Sequence, residues 1–123
     1  MKITLAVPQA TYVIRSYGPG QVVVNQQTYT RTLVVMPNEI LTDWPPDCFD
    51  TLRAEHFAAL TQYAFDVLLL GTGKRLRFPE RSLLSPIEAR GIGVEVMDTG
   101  AACRTYDLLL AEQRSVAAVL LMI

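Results

Sequence analysis

Two short stretches hold the residue types that could carry chemistry. The first is Gly71-Thr72-Gly73-Lys74-Arg75, directly after the apolar run Val67-Leu68-Leu69-Leu70. Glycines at the end of a buried strand let backbone N–H groups face a ligand, and Lys74 and Arg75 would neutralise an anion. A Walker loop would need glycine at position 68 and serine or threonine at 75, where Leu68 and Arg75 stand. The dinucleotide fingerprint would need glycine at 76, which is Leu76. What remains is either an anion-facing turn or a tight exit from a central strand with its charges in water.

The second stretch is Met97-Asp98-Thr99-Gly100-Ala101. Asp-Thr-Gly-Ala is the pattern of aspartic proteases, where the Asp shares a proton with its twin. Those enzymes are all-β, whereas residues 101–109 have helical period and no glycine-rich flap is present. Asp98 or Thr99 is better read as a helix N-cap, its side-chain oxygen accepting a first-turn N–H. The same helix start favours an anion or a thiolate. Cys103 lies there beside Arg104, with Tyr106 on the adjoining turn, but Cys103 also falls on the apolar stripe, where a thiol is packed and inert. A phosphatase would place arginine at position 109, which is Leu109, and no Gly-x-Ser-x-Gly elbow exists. His56 and two distant cysteines, Cys48 and Cys103, make no metal-ligand spacing. No catalytic residue and no cofactor is assigned. If the two strands are parallel neighbours, Gly71, Thr72, Gly73, Lys74, Arg75, Asp98, Thr99, Arg104 and Tyr106 form a candidate cleft for a small anion at their carboxyl ends.

The elements that must position these residues follow from pattern. Thr11 to Tyr17 and Gln21 to Val24 read as a hairpin around Gly18-Pro19-Gly20, with Thr28 to Val35 as one alternating strand. Glu39 to Trp44 reads as a short strand before Pro45-Pro46. A helix is expected near residues 51–64, with a separate turn at Cys48–Asp50 as its opening, and residues 66–70, apolar on both faces, fit a central strand. A second helix lies within residues 80–90, with Pro86 in its first turn or kinking it. A strand over Val94 to Met97, a helix over Gly100 to Glu112 and a strand over Val116 to Met122 complete the order. Strand-helix-strand-helix-strand implies parallel crossovers with helices covering the sheet, and the N-terminal hairpin adds an antiparallel part.

Composition bounds the classes of function. The chain has 123 residues, 50% hydrophobic and 19% charged, which suits one core-rich domain over residues 1–123. The net charge of −1 excludes a bulk nucleic-acid binder. No apolar run approaches the ~20 residues of a membrane span. Glu39, Asp43, Asp47, Asp50, Glu55 and Asp66 make the middle acidic, and Lys74, Arg75, Arg77 and Arg81 form a basic run that reads as a solvated loop. The apolar stretch within Met1 to Pro8 is too short for a signal peptide, and together with two unpaired cysteines it points to the cytoplasm. Cys48 and Cys103 are expected as free thiols. Trp44 is read as core, the alternative being an aromatic anchor for a partner.

Taken together, several blocks carry a resemblance. Leu70-Gly71-Thr72-Gly73-Lys74, Phe78-Pro79, Gly91-Ile92-Gly93-Val94-Glu95, the run from Met97 to Tyr106, and Asp43-Trp44-Pro45 resemble a family of small α/β domains of unknown function. That family includes the mitochondrial respiratory complex I assembly factor 3 and uncharacterised bacterial and archaeal homologues. The resemblance implies a three-layer α/β sandwich around a mixed, partly parallel central sheet. It implies no established reaction, and a role by protein interaction like that of the mitochondrial member. Two positions depart from the family pattern: Asp107 stands where asparagine is frequent, and Gln113-Arg114 where Gly-Arg is. The favoured function is a non-enzymatic interaction or assembly-helper domain with a protein partner, contacted through segment 39–66 and the surroundings of Trp44. The alternative is the anion cleft.

Overall fold

The structure, a computed structural model, describes residues 11–123; the reading of Met1 to Pro8 lies outside them. Its strands are β1 (Ile14–Gly18), β2 (Gln21–Val24), β3 (Gln27–Tyr29), β4 (Leu33–Met36), β5 (Glu39–Leu41), β6 (Val67–Gly71), β7 (Gly93–Met97) and β8 (Val116–Leu120). Its helices are α1 (Ala54–Ala58), α2 (Arg81–Glu88) and α3 (Thr99–Ala111), with 3₁₀ turns at Phe49–Thr51 and Ala59–Gln62.

Strands β1, β2 and β3 form a small antiparallel sheet. The main sheet has the order β5-β4-β8-β6-β7, with β6 parallel to both β7 and β8, and β4 antiparallel to β8 and β5. The crossover from β6 to β7 runs outward to the sheet edge, and that from β7 to β8 runs back across β6. Right-handed crossovers in opposite directions put their helices on opposite faces. Accordingly Leu68, Leu70, Ala117 and Val119 pack with Phe57, Leu84 and Ile87 of α1 and α2. Val67, Leu69, Ala118 and Leu120 pack with Ala102 and Tyr106 of α3 and with Ile14, Val22 and Val24 of the small sheet. Both faces of β6 and β8 are covered, which explains their continuous apolar runs.

Two expectations are corrected, and the reading of Trp44 as core holds. Residues 28–35 are not one strand: β3 ends at Tyr29 and β4 begins at Leu33 in the other sheet. Thr28 to Tyr29 have a wet side, whereas Leu33 to Met36 are all buried, so the two halves belong to differently covered sheets. The helix near 51–64 is two pieces, Ala54–Ala58 and the 3₁₀ turn Ala59–Gln62, preceded by a separate turn at Phe49–Thr51. The Thr51 hydroxyl donates to Cys48 O at 2.9 Å and closes the first turn, and His56 Nδ1 accepts from Arg53 N at 3.0 Å where the helix restarts. Trp44 is 5% exposed, edge-on to Phe57 at 5.4 Å, and its indole N–H donates to His56 O. It is core, so it does not itself serve as an exposed anchor, while Asp43 and Pro45 on either side of it are exposed.

Pro86 sits inside α2, past its first turn. The Ser82 carbonyl, which would have met the missing N–H, accepts from the Ser85 hydroxyl at 2.9 Å. At the far end of α3, Gln113 N donates to Leu110 O and Arg114 N to Leu109 O, both at 2.9 Å. This is a Schellman closure with Gln113 left-handed at φ 60°, a place that favours glycine. Gln113→Gly should raise unfolding stability by up to about 1 kcal/mol, read as a higher urea midpoint with unchanged slope.

Candidate functional site

Strands β6 and β7 are parallel neighbours, with Gly71 opposite Met97, so the two candidate stretches do meet at their carboxyl ends. They form a closed joint. Thr99 Oγ1 accepts from Gly73 N at 2.8 Å and donates to Leu121 O at 2.6 Å. Thr99 N donates to Gly73 O, Thr72 N to Met97 O, and Leu121 N to Gly71 O. The Thr72 hydroxyl donates to Arg75 O at 2.6 Å and accepts from Arg77 N at 3.1 Å. Both threonines are buried.

The glycines serve this joint. A Cβ on Gly71 would lie 3.0 Å from the Thr99 Cα, so the start of α3 could not seat against β6. Gly73 has φ 99°, which a side chain would strain, and faces the Met122 carbonyl. The Gly-x-Gly spacing is thus accounted for by close approach and by a left-handed turn.

The start of α3 is also occupied. Asp98 is the N-cap and accepts from Ala101 N at 2.8 Å. The Tyr17 ring roofs Gly100, where a Cβ would come within 2.9 Å of it. Arg104, exposed, donates to the Tyr17 hydroxyl and lies near its ring. Tyr106 is on the buried side of the helix, its hydroxyl donating to Tyr12 O at 2.7 Å. Of the nine residues named from sequence, Gly71, Thr72, Gly73, Asp98 and Thr99 come together in the joint. Lys74 and Arg75 leave it for solvent, and Arg104 and Tyr106 face opposite environments a turn further on.

A cavity of about 140 Å³ opens between β1 and α3, lined by Arg15, Ser16, Tyr17, Cys103, Arg104 and Asp107, with Ile14. Arg15 is the extra residue of a bulge in β1. Asp107 Oδ1 accepts from Ile14 N at 3.0 Å. Burial pushes the Asp107 carboxyl above its usual range, against the Ile14 N–H and Arg15, which pull it down. Arg15, Tyr17 and Asp107 were not singled out from sequence, and the one local signal was the departure from asparagine at Asp107. Burial, reinforced by Asp107, pushes the Cys103 thiol up to about 12, while Arg104 lowers it only in part. Cys103 is a packed thiol, 1% exposed. The Tyr106 hydroxyl is raised above its usual range by the same causes. Cys48 is exposed, and both cysteines are free. Among the described residues, no cluster of His, Cys, Asp or Glu is arranged to hold a metal.

A family model described as a protein of unknown function, DUF498/DUF598, matches residues 14–121. The complex I assembly factor 3 of Danio rerio is 35% identical over 111 residues, covering 89% of this chain. The chain spans 63% of that relative's length. A protein of Francisella tularensis described as a 13 kDa major membrane protein is 25% identical, with 92% of this chain and 93% of the other covered. The crystal structure of a Bordetella parapertussis protein is 35% identical and superposes with a TM-score of 0.85, covering 92% of this chain and 97% of that one.

Two results are expected. Asp98→Ala should cost about 1 kcal/mol as a lost cap. Thr99→Val, which strands the Gly73 N–H and the Leu121 carbonyl, should cost more, about 2–4 kcal/mol; equal denaturation midpoints for the two variants would contradict the joint. The second result concerns pH. The folded state holds Cys103 as the neutral thiol, so its contribution is complete below the unfolded value of 9.0 and fades as pH rises toward about 12. Thermal midpoints should fall between those values, and Cys103→Ala should flatten the fall where it begins.

Proposed function

The chain belongs to the DUF498/DUF598 family, and on that premise we propose that it is a protein-interaction module that helps assemble other proteins, not an enzyme. The observation that carries this reading is the kinship with an assembly factor across most of the chain. The joint at the strand ends supports it, because its buried hydroxyls and N–H groups are spent on one another and on the backbone. The rival reading, a small anion held by Lys74, Arg75 and Arg104, draws no support from that joint.

The contact surface is the acidic segment. Glu39, Asp43, Asp47, Asp50, Glu55 and Asp66 are all exposed. Asp47 is paired with Arg31 and Asp50 with Arg77, at 2.8 and 2.9 Å. Asp43 and Glu55 carry no ion pair among the described residues, and they flank the contact of Trp44 with His56 in sequence. A basic protein surface is the partner that this charge fits. The free, exposed Cys48 suits the reducing cytoplasm as the place of action. Among the described residues no helix is long and apolar enough to cross a membrane.

Affinity capture from the parent cell tests the reading. The native domain should enrich a protein that a paired Asp43→Lys, Glu55→Lys variant loses and an Arg75→Glu variant keeps. A capture profile identical for the native domain and the acidic-segment variant would refute it. Trp44→Ala is unsuitable as a surface probe, since that side chain is core.

A further inference from the structure

The segment between β6 and α2 projects two of the three large apolar side chains that are exposed among the described residues, the third being Leu108 on α3. Phe78 is 74% exposed and Leu76 50%. Between them Arg77 turns back onto the body, its guanidinium 4.0 Å over the Phe49 ring and 2.9 Å from Asp50. The Thr72 hydroxyl pins the same segment through Arg75 O and Arg77 N. The loop is therefore held outward at a fixed place. Lys74, Arg75 and Arg81 bracket the two apolar residues in sequence, all exposed and without an ion pair among the described residues. Glu80 is the one acid within residues 74–81.

We propose that this loop docks on the surface of a bilayer rich in anionic lipid. Leu76 and Phe78 enter the interfacial region, and Lys74, Arg75 and Arg81 meet the headgroups. Charge complementarity selects this occupant. A protein pocket would have to desolvate three cations and match each with a carboxylate at a set position. A headgroup layer stays wet, and its lipids move to the charges, so long unpaired cations flanking an apolar pair suit a plane of mobile anions. The chain as a whole carries a net charge of −1, so attraction is confined to the loop within about a Debye length, ~8 Å at physiological salt. Neither signal suffices alone: two apolar side chains give weak partitioning, and a few cations give attraction that salt removes. This proposal is independent of the protein-interaction reading.

Co-sedimentation with vesicles tests it, using phosphatidylcholine alone and an equal mixture with phosphatidylglycerol. The native protein should pellet with the mixed vesicles, not with the neutral ones, and should be released by high salt. A Leu76→Ser, Phe78→Ser variant and a Lys74→Glu, Arg75→Glu variant should each lower the bound fraction by roughly tenfold. All four positions are exposed, so circular dichroism melts should match the native protein. The Asp43→Lys, Glu55→Lys variant should bind vesicles at least as well as native, which separates this proposal from the protein reading. No pelleting with mixed vesicles, equal pelleting with neutral ones, or undiminished binding by both loop variants would overturn it. So would loss of a captured protein by the loop variants without vesicle binding by the native domain, which would assign the loop to a protein partner.

Discussion

A single buried hydroxyl, that of Thr99, ties the carboxyl ends of three strands. It takes the N–H of Gly73 beyond β6, donates its proton to the carbonyl of Leu121 beyond β8, and belongs to the second residue after β7. Much else follows from this one side chain. Position 71 must lack a Cβ because Thr99 sits against it, and the chain must turn at Gly73 to present its N–H. The first turn of α3 is then seated on the sheet, leaving Asp98 to cap it and Tyr17 to roof it. The Gly73 N–H is used as a phosphate loop uses such a group, but its acceptor is a hydroxyl of the same chain.

How far the sequence reveals this depends on the range of the contact. Strands β6 and β8 are legible because both faces of each must be covered, and the parallel order follows from alternation with helices. The cap at Asp98 is legible because its partner is three residues away. The split between β3 and β4 is hidden, because alternation in Thr28 to Leu33 continues across the point where the chain changes sheet. The joint is hidden for a related reason: whether Thr99 faces a ligand or the backbone is decided at Leu121, 22 residues on. The roof over α3 is hidden further still, since Tyr17 and Arg104 are 87 residues apart.

The two positions at which the resemblance implied a different residue have physical meanings in the structure. An asparagine at position 107 would accept the Ile14 N–H through its amide oxygen, without the charge that burial opposes at Asp107. Glycine at position 113 would adopt the left-handed closure of α3 without the crowding of a side chain. Both lie on the C-terminal half of α3 or just beyond it, away from the joint. Small costs there leave the sheet and its two apolar faces as they are.

The place of β8 also orders events in time. It lies between β4 and β6, yet it is the last strand in the described chain. Without β8, β4 with β5 and β6 with β7 would have no strand to join them, and each pair would present an edge that β8 covers in the complete sheet. Only when residues 116–121 emerge from the ribosome can the sheet be completed and the Thr99 hydroxyl find its acceptor. Until then both open edges are templates for mispairing, so the interval before β8 is made is when the nascent chain most needs a chaperone.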